Sequence, residues 1–277
     1  MIKSTRIFGN SLWIPPIYRR CYTTNSTKDK RNRTLFDLIA SPIPHTIKTL
    51  RGSALIEYLK PLQKHGLNQL QKDALVGGLL GDGSLQYNGG QLPYYKFDQK
   101  AASKEYVDLI YSIFDEYVGT PPKPRMKTGK IQSYWFRTFR INEFDFYAKQ
   151  FYTIDPLGNR KSVVPKLIHR WLNPQSLAFW FMDNGSRAET GYKLNTHGYL
   201  RPDVIRLQKA LGRVFRLQSN IHLDNRNLST GGVIMYSLYI PASHATQFHN
   251  IVEPYMLNFI KYKLYDSKVL TTLPVKE

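Results

Sequence analysis

Two short apolar runs set the pattern of this chain. Residues 75–83 read LVGGLLGDG and residues 177–185 read LAFWFMDNG, and each closes on a polar residue followed by glycine. Each run has the length and flanks of a helix that ends at this stop. Asn68 is a suitable N-cap for the first, and Asn173 with Pro174 at the first helical position opens the second. After the first run come Tyr95-Lys96-Phe97-Asp98-Gln99 and the amphipathic stretch 103–118, whose Val107, Ile110, Tyr111 and Phe114 keep helical spacing. After the second come Tyr192-Lys193-Leu194-Asn195-Thr196 and the stretch 201–215, with Val204, Leu207, Leu211 and Val214 at the same spacing. Each of these predicted helices leads to a hairpin pattern: residues 125–141 turn at Thr128-Gly129, and 221–240 turn at Gly231-Gly232. A further helix opens at Asn142-Glu143 in one copy and at Pro241-Ala242-Ser243 in the other.

With strands at about 84–88, 94–99, 186–189 and 191–196, each copy reads αββαββα, a duplication within one chain. The expected fold is α+β: two such units, residues 66–165 and 166–277, form a pseudo-two-fold saddle of two four-stranded antiparallel sheets, with the paired motif helices at its centre. Because the pseudo-dimer is internal, a monomer is expected.

The first motif helix is rich in small residues. Ala74, Gly77, Gly78 and Gly81 leave one side nearly bare. Glycine inside a helix costs roughly 1 kcal/mol relative to alanine, so close contact with the backbone of another helix is the natural reason for three of them. Asp82 stands at the helix C-terminus, where the macrodipole disfavours a carboxylate and favours a cation. Two such ends brought together could hold Mg²⁺ between their carboxylates. The second copy carries Asn184 at the matching position.

Composition turns this scaffold toward a polyanion. The net charge is +19, and from Arg51 onward 30 Lys and Arg face 18 Asp and Glu, so the excess is not confined to a tail. The single cysteine, Cys21, excludes a disulfide framework and a cysteine zinc site. No run approaches the roughly 18 apolar residues of a membrane span, and no membrane partner is expected. Residues 1–28 lack Asp and Glu and interleave Lys3, Arg6, Arg19, Arg20 and Lys28 with apolar and hydroxyl residues. This is the composition of a mitochondrial transit peptide, with Arg20-Cys21-Tyr22-Thr23 resembling a matrix-peptidase site, so a matrix location is expected. Residues 29–65 read as a linker and N-terminal extension.

The two motifs, with NPQSLAFWFMDNGS around the second and KEYVDLIYSIF after the first, resemble the LAGLIDADG homing endonucleases and intron maturases in their single-chain, two-motif form over about residues 66–268. The resemblance implies that the acidic residue before the last glycine of each motif holds a shared divalent metal. Asp82 fills that place in the first motif; Asn184, isosteric but neutral, fills it in the second. Asp183 does not obviously replace it, because one helical residue turns about 100° away. Lys161 and Lys263 resemble the family's basic residues near the site, or are plain phosphate-contacting lysines. Base-reading residues are expected among Lys96, Arg137, Arg140, Lys193 and Arg226, which are otherwise ordinary exposed strand residues.

Three functions follow from this reading. One is a mitochondrial maturase-type protein that binds structured intron RNA and assists group I splicing or other RNA processing, with nuclease activity lost or impaired. Another is a Mg²⁺-dependent, site-specific endonuclease acting on duplex DNA. The third is a structural protein associated with the mitochondrial ribosome or DNA.

Overall fold

A computed structural model describes residues 51–87, 90–224 and 234–270. The candidate transit peptide, the Gly231-Gly232 turn and Arg226 lie outside the described residues. Helix α1 spans Gly52–His65 and α2 spans Gln69–Leu80, followed by β1 (Ser84–Gln86) and β2 (Tyr94–Lys100). Next come α3 (Lys104–Ile113), β3 (Lys123–Lys127), β4 (Lys130–Arg137) and α4 (Asn142–Phe151). A small hairpin, β5 (Tyr152–Ile154) and β6 (Arg160–Ser162), leads into α5 (Pro174–Asn184). The order then repeats: β7 (Gly185–Arg187), β8 (Tyr192–Asn195), α6 (Arg201–Phe215), β9 (Asn220–Asp224), β10 (Met235–Ile240) and α7 (Ala242–Val252), with a final turn of helix, α8 (Ser267–Leu270). The two four-stranded antiparallel sheets have orders β1-β2-β4-β3 and β7-β8-β10-β9, which is the duplicated arrangement expected from the sequence. Two features were not read from it: the β5–β6 hairpin between the copies, and helix α1 within the segment read as linker and extension. Helix α1 packs by Leu59, while Tyr58 donates to the Glu116 carbonyl at 2.8 Å.

The motif helices α2 and α5 form the axis. Neither has a polar side: residues 74–80 and 176–183 are all buried, as befits helices covered all round. Both start with reciprocal capping boxes, Asn68 with Gln71 and Asn173 with Ser176. Their contact is close because of glycine. A Cβ on Gly77 would lie 2.4 Å from the Phe179 Cβ and 2.6 Å from the Ser176 carbonyl, and one on Gly81 would lie 2.4 Å from the Asp183 carboxylate. Gly78 has a different reason. A Cβ there would lie 2.3 Å from the Tyr95 hydroxyl of β2, so its missing side chain admits the first sheet and not the partner helix.

Polar contacts stitch the pair along its length. At the N-terminal end the Asn173 amide donates to Asp73 Oδ1 at 2.6 Å, and Gln69 donates to the same oxygen at 2.7 Å. Further along, each half reaches across to the other's motif helix. The Tyr106 hydroxyl donates to the Phe179 carbonyl at 3.2 Å, and the Tyr199 hydroxyl donates to the Leu79 carbonyl at 2.9 Å. These four residues are buried, where an unpaired carbonyl would be costly.

Strand register divides each sheet into a core face and an open face. In the first sheet Leu85, Tyr95, Phe97 and Phe136 are buried, with Leu85 opposite Tyr95 and Phe97 opposite Phe136. The alternate residues, including Lys96 opposite Arg137 and Trp135 opposite both Asp98 and Lys123, share the other face. In the second sheet Leu194 and Leu238 pair on the buried face, and Lys193 with Tyr239 on the open one. The Thr128-Gly129 hairpin turn has positive φ at both residues, 47° and 76°, as a two-residue turn between twisted strands requires.

Two outcomes follow. Gly77→Ala should destabilise the protein by about 1–3 kcal/mol in urea unfolding, because overpacking outweighs the helix-propensity gain. Gly198→Ala, where an added Cβ meets nothing within 4 Å, should change stability by less than about 0.5 kcal/mol. The second outcome concerns Asp73, whose carboxyl is raised to about 6, first by burial and against the help of its Asn173 and Gln69 hydrogen bonds. A raised carboxyl binds its proton more tightly in the folded state. The associated stability is therefore full below the ordinary value of 3.8 and is lost as pH rises through about 6. Asp73→Asn should consequently be more stable relative to the parent at pH 7.5 than at pH 4.5, by up to about 2 kcal/mol, read from unfolding curves at the two pH values.

Candidate nucleic-acid and metal site

The C-terminal ends of α2 and α5 converge, as their parallel burial dictates, on a cleft of about 440 Å³ lined by Asp82, Asn184, Ser162, Asn195, His197 and neighbouring backbone. Both motif residues singled out from sequence line this one cleft. Asp183 does not. One step along α5 from Asn184, its side chain is turned between the helices, 9% exposed, and its Oδ2 accepts from the Asp82 backbone N–H at 3.3 Å. It fits there because Gly81 has no Cβ. Burial, and then the neighbouring Asp82, push the Asp183 carboxyl well above the ordinary carboxylate range.

A residue the sequence reading left without a role joins the two acids. The Gln99 Nε2 donates to Asp82 Oδ2 at 2.6 Å and to Asp183 Oδ1 at 3.2 Å. A signal for it existed: Gln99 shares strand parity with the buried Tyr95 and Phe97, so it is a polar residue on the core-facing side of β2.

The two candidate lysines occupy different settings. The Lys263 ammonium donates to the last carbonyls of α5, Met182 at 2.5 Å and Asp183 at 3.2 Å. It thus meets orphan acceptors at the negative end of the helix. Burial pulls its pKa down, while Asp183 and Asp82 oppose this. Lys161 stands on β6 with 61% of its side chain exposed, 3.8 Å from Asp155 of the same hairpin; the adjacent Ser162 is the residue that lines the cleft.

Of the candidate base-reading residues, Lys96 and Arg137 lie on the open face of the first sheet and Lys193 on that of the second. Arg140 follows β4 in a loop, stacks over Tyr94 at 4.9 Å and donates to the Leu92 carbonyl at 2.5 Å. The two open faces differ in charge. The first carries Lys96, Lys123, Arg125 and Arg137 around Asp98, which pairs with Arg125 at 2.8 Å and Lys96 at 3.5 Å. On the second, Lys193 and His197 both engage Asp224, at 2.6 and 2.8 Å.

Among the described residues no group of three or more His, Cys, Asp and Glu could hold a metal ion, and no helix is long and apolar enough to cross a membrane. At the two helix ends the cleft offers hard oxygen donors, the Asp82 carboxylate and the Asn184 carboxamide. That set suits a single oxygen-loving ion with waters and phosphate completing its shell, and lacks the second anionic ligand of a paired site.

The duplicated αββαββα halves and the paired motif helices agree with the comparisons with known proteins. The model of the LAGLIDADG DNA endonuclease family matches residues 72–248, and this chain belongs to that family. It is 28% identical over 214 residues to DNA endonuclease I-ChuI of Chlamydomonas applanata, spanning 72% of this chain and 96% of that protein. It is also 28% identical over 224 residues to the cytochrome b mRNA maturase bI2 of Debaryomyces hansenii, spanning 78% and 79%. Among solved structures it is similar to the homing endonuclease I-WcaI bound to its DNA recognition sequence, with a TM-score of 0.64 at 25% identity over 86% of this chain and 98% of that one.

The two lysines should separate in a stability measurement. Lys263→Met keeps volume but strips two helix-end carbonyls of a charged donor, and should cost about 1–3 kcal/mol. Lys161→Met should stay within about 0.5 kcal/mol, as exposed pairs do. Urea unfolding of both variants checks this.

Proposed function

We propose that this protein is a maturase-type nucleic-acid-binding protein of the mitochondrial matrix. It would bind structured intron RNA as a monomer and assist group I splicing or another RNA-processing step, with DNA cleavage lost or impaired. The observation that carries this reading is the unequal pair of helix ends. Asp82 offers the cleft a carboxylate, Asn184 offers a neutral amide, and Asp183 is spent inside the helix interface. The cationic open faces are independent of that pair and retain the means to neutralise phosphates. The acid-free first 28 residues motivate the location, and a relative named as a cytochrome b mRNA maturase supports the RNA role.

Asp82 and the Asn184 amide oxygen would hold Mg²⁺, more weakly than two carboxylates would. When bound, the ion supplies Lewis-acid stabilisation of charge on phosphate oxygens. Lys263 keeps the end of α5 in place beneath that site, and Gln99 fixes the orientation of the Asp82 carboxylate.

The second reading is a Mg²⁺-dependent, site-specific endonuclease acting on duplex DNA. It is favoured by the intact Asp82 and by the similarity to DNA endonuclease I-ChuI.

Deleting the gene and sequencing mitochondrial RNA should reveal accumulated unspliced or unprocessed transcripts; normal transcripts would sink the maturase reading. Purified protein with Mg²⁺ should linearise the organism's mitochondrial DNA poorly or not at all, and Asn184→Asp should raise Mg²⁺ affinity. Efficient cutting that disappears in Asp82→Ala would instead establish the endonuclease.

A further inference from the structure

Away from the cleft, a cavity of about 480 Å³ opens where helix α1 meets the end of the first sheet. Leu55 and Leu59 line it from one face of α1, four residues apart, and Arg51 joins them from the extended residue just before the helix. Tyr94, Trp135 and Phe139 supply aromatic walls from the opposite side. Lys123, Arg137 and Arg140 join Arg51 at the lining, which includes no Asp or Glu. None of these four cations is in an ion pair among the described residues, whereas Lys96, Arg125 and Lys193 elsewhere on the sheets each engage a carboxylate. Arg137 and Arg140 are instead held over the Tyr94 ring, at 5.4 and 4.9 Å, and Arg140 is anchored by the Leu92 carbonyl.

Uncompensated positive charge, aromatic faces and an aliphatic floor together ask for a flat π-system attached to an anion. The volume falls within the ordinary range of ligand sites, about 300–1,000 Å³. Tyr94, Trp135, Arg137 and Lys123 belong to the open face of the first sheet, so the cavity is continuous with the surface assigned to the polyanion. Single-stranded recognition works by splaying a base out of its strand onto aromatic and guanidinium faces, and a base turned out on that surface meets both here.

We propose that this cavity binds one unpaired nucleotide of the bound RNA, its base against Trp135 and its phosphate among Arg51, Arg137 and Arg140. This rests on the RNA-binding reading above and adds a feature to it: the protein discriminates a bulged or looped strand from a continuous helix.

The test uses the full chain at low salt with two RNA duplexes of one sequence, fully paired or carrying a single extra 2-aminopurine nucleotide in one strand. Fluorescence anisotropy should give the bulged duplex about tenfold tighter binding, the scale of one base stacked on an aromatic side chain, and its 2-aminopurine emission should fall further on binding. Trp135→Leu should abolish both the preference and the added quenching, and Trp135→Phe should restore part of the preference. Leu55→Trp, which fills the cavity from the α1 side, should abolish the preference without touching the sheet. Equal affinity for the two duplexes, or a preference that survives in both Trp135→Leu and Leu55→Trp, overturns the pocket and leaves the RNA-binding reading standing. Binding to neither duplex overturns both.

Discussion

The close approach of α2 and α5 at Gly77 is the contact on which the rest of the molecule depends. Each helix is covered on every side, so neither has a polar face to fall back on, and each forms the back wall of its own sheet while forming an axis with the other. A Cβ at Gly77 would press into both a side chain and a backbone carbonyl of α5; neither can yield without separating the two halves. Glycine's unfavourable helix propensity is accepted there because the alternative is a wider axis with voids along two aromatic cores. Phe179, Trp180 and Phe181 are fully buried against this axis, each contributing roughly 1.5–3 kcal/mol through removal from water. The reciprocal Tyr106 and Tyr199 hydrogen bonds fix how far each helix can slide along the other.

That constraint also explains why the duplicated ends are chemically unequal. The first copy ends Gly81-Asp82 and the second Asp183-Asn184. Only one of the two positions before the polar residue can carry a side chain into the narrow space between the helices, and Asp183 takes it because Gly81 leaves it empty. Two carboxyl groups then lie close together at the negative ends of two helices, an arrangement that costs free energy unless donors compensate. Gln99 donates to both, the Asp82 backbone N–H donates to Asp183, and the Lys263 ammonium binds the helix-end carbonyls beside them. A neutral Asn184 lowers the like-charge load at this point. An amide in place of a carboxylate at this position therefore relieves electrostatic strain in the scaffold.

The sequence made the architecture legible because duplication, helical spacing and turn chemistry agreed with one another: both motif caps, the Thr128-Gly129 turn and helix 201–215 fall where the pattern put them. Its limits have physical causes. Gly77 and Gly78 look alike in sequence, yet one meets a helix and the other a tyrosine hydroxyl, because adjacent helical residues point about 100° apart. Gln99 was visible as a residue but not as a bridge, since its partners lie 17 and 84 positions away. Lys161 and Lys263 were indistinguishable as isolated basic residues; burial against the end of α5 separates them, and burial belongs to the tertiary structure. Helix α1 was hidden by Pro61 and by an exposed composition, its stability coming from the first unit it packs upon.

The basic sheet faces and the helix-end cleft are different parts of this molecule, built by different constraints. The cations on the sheets are placed by strand register, which is fixed by alternating buried residues such as Leu85, Phe97 and Phe136 in the first half and Leu194 and Leu238 in the second. The cleft chemistry hangs on the terminal residues of two helices. An amide instead of a carboxylate at Asn184 alters neither the register nor the Gly77 contact, so the basic sheet faces do not depend on the charge at that position. The converse does not hold: a change that widened the helix pair would displace both sheets and disperse the cleft at once. Selection acting on binding alone is thus enough to preserve the glycines, the cross-unit tyrosines and the basic faces, while leaving the residue beside the last glycine of the second motif free to drift.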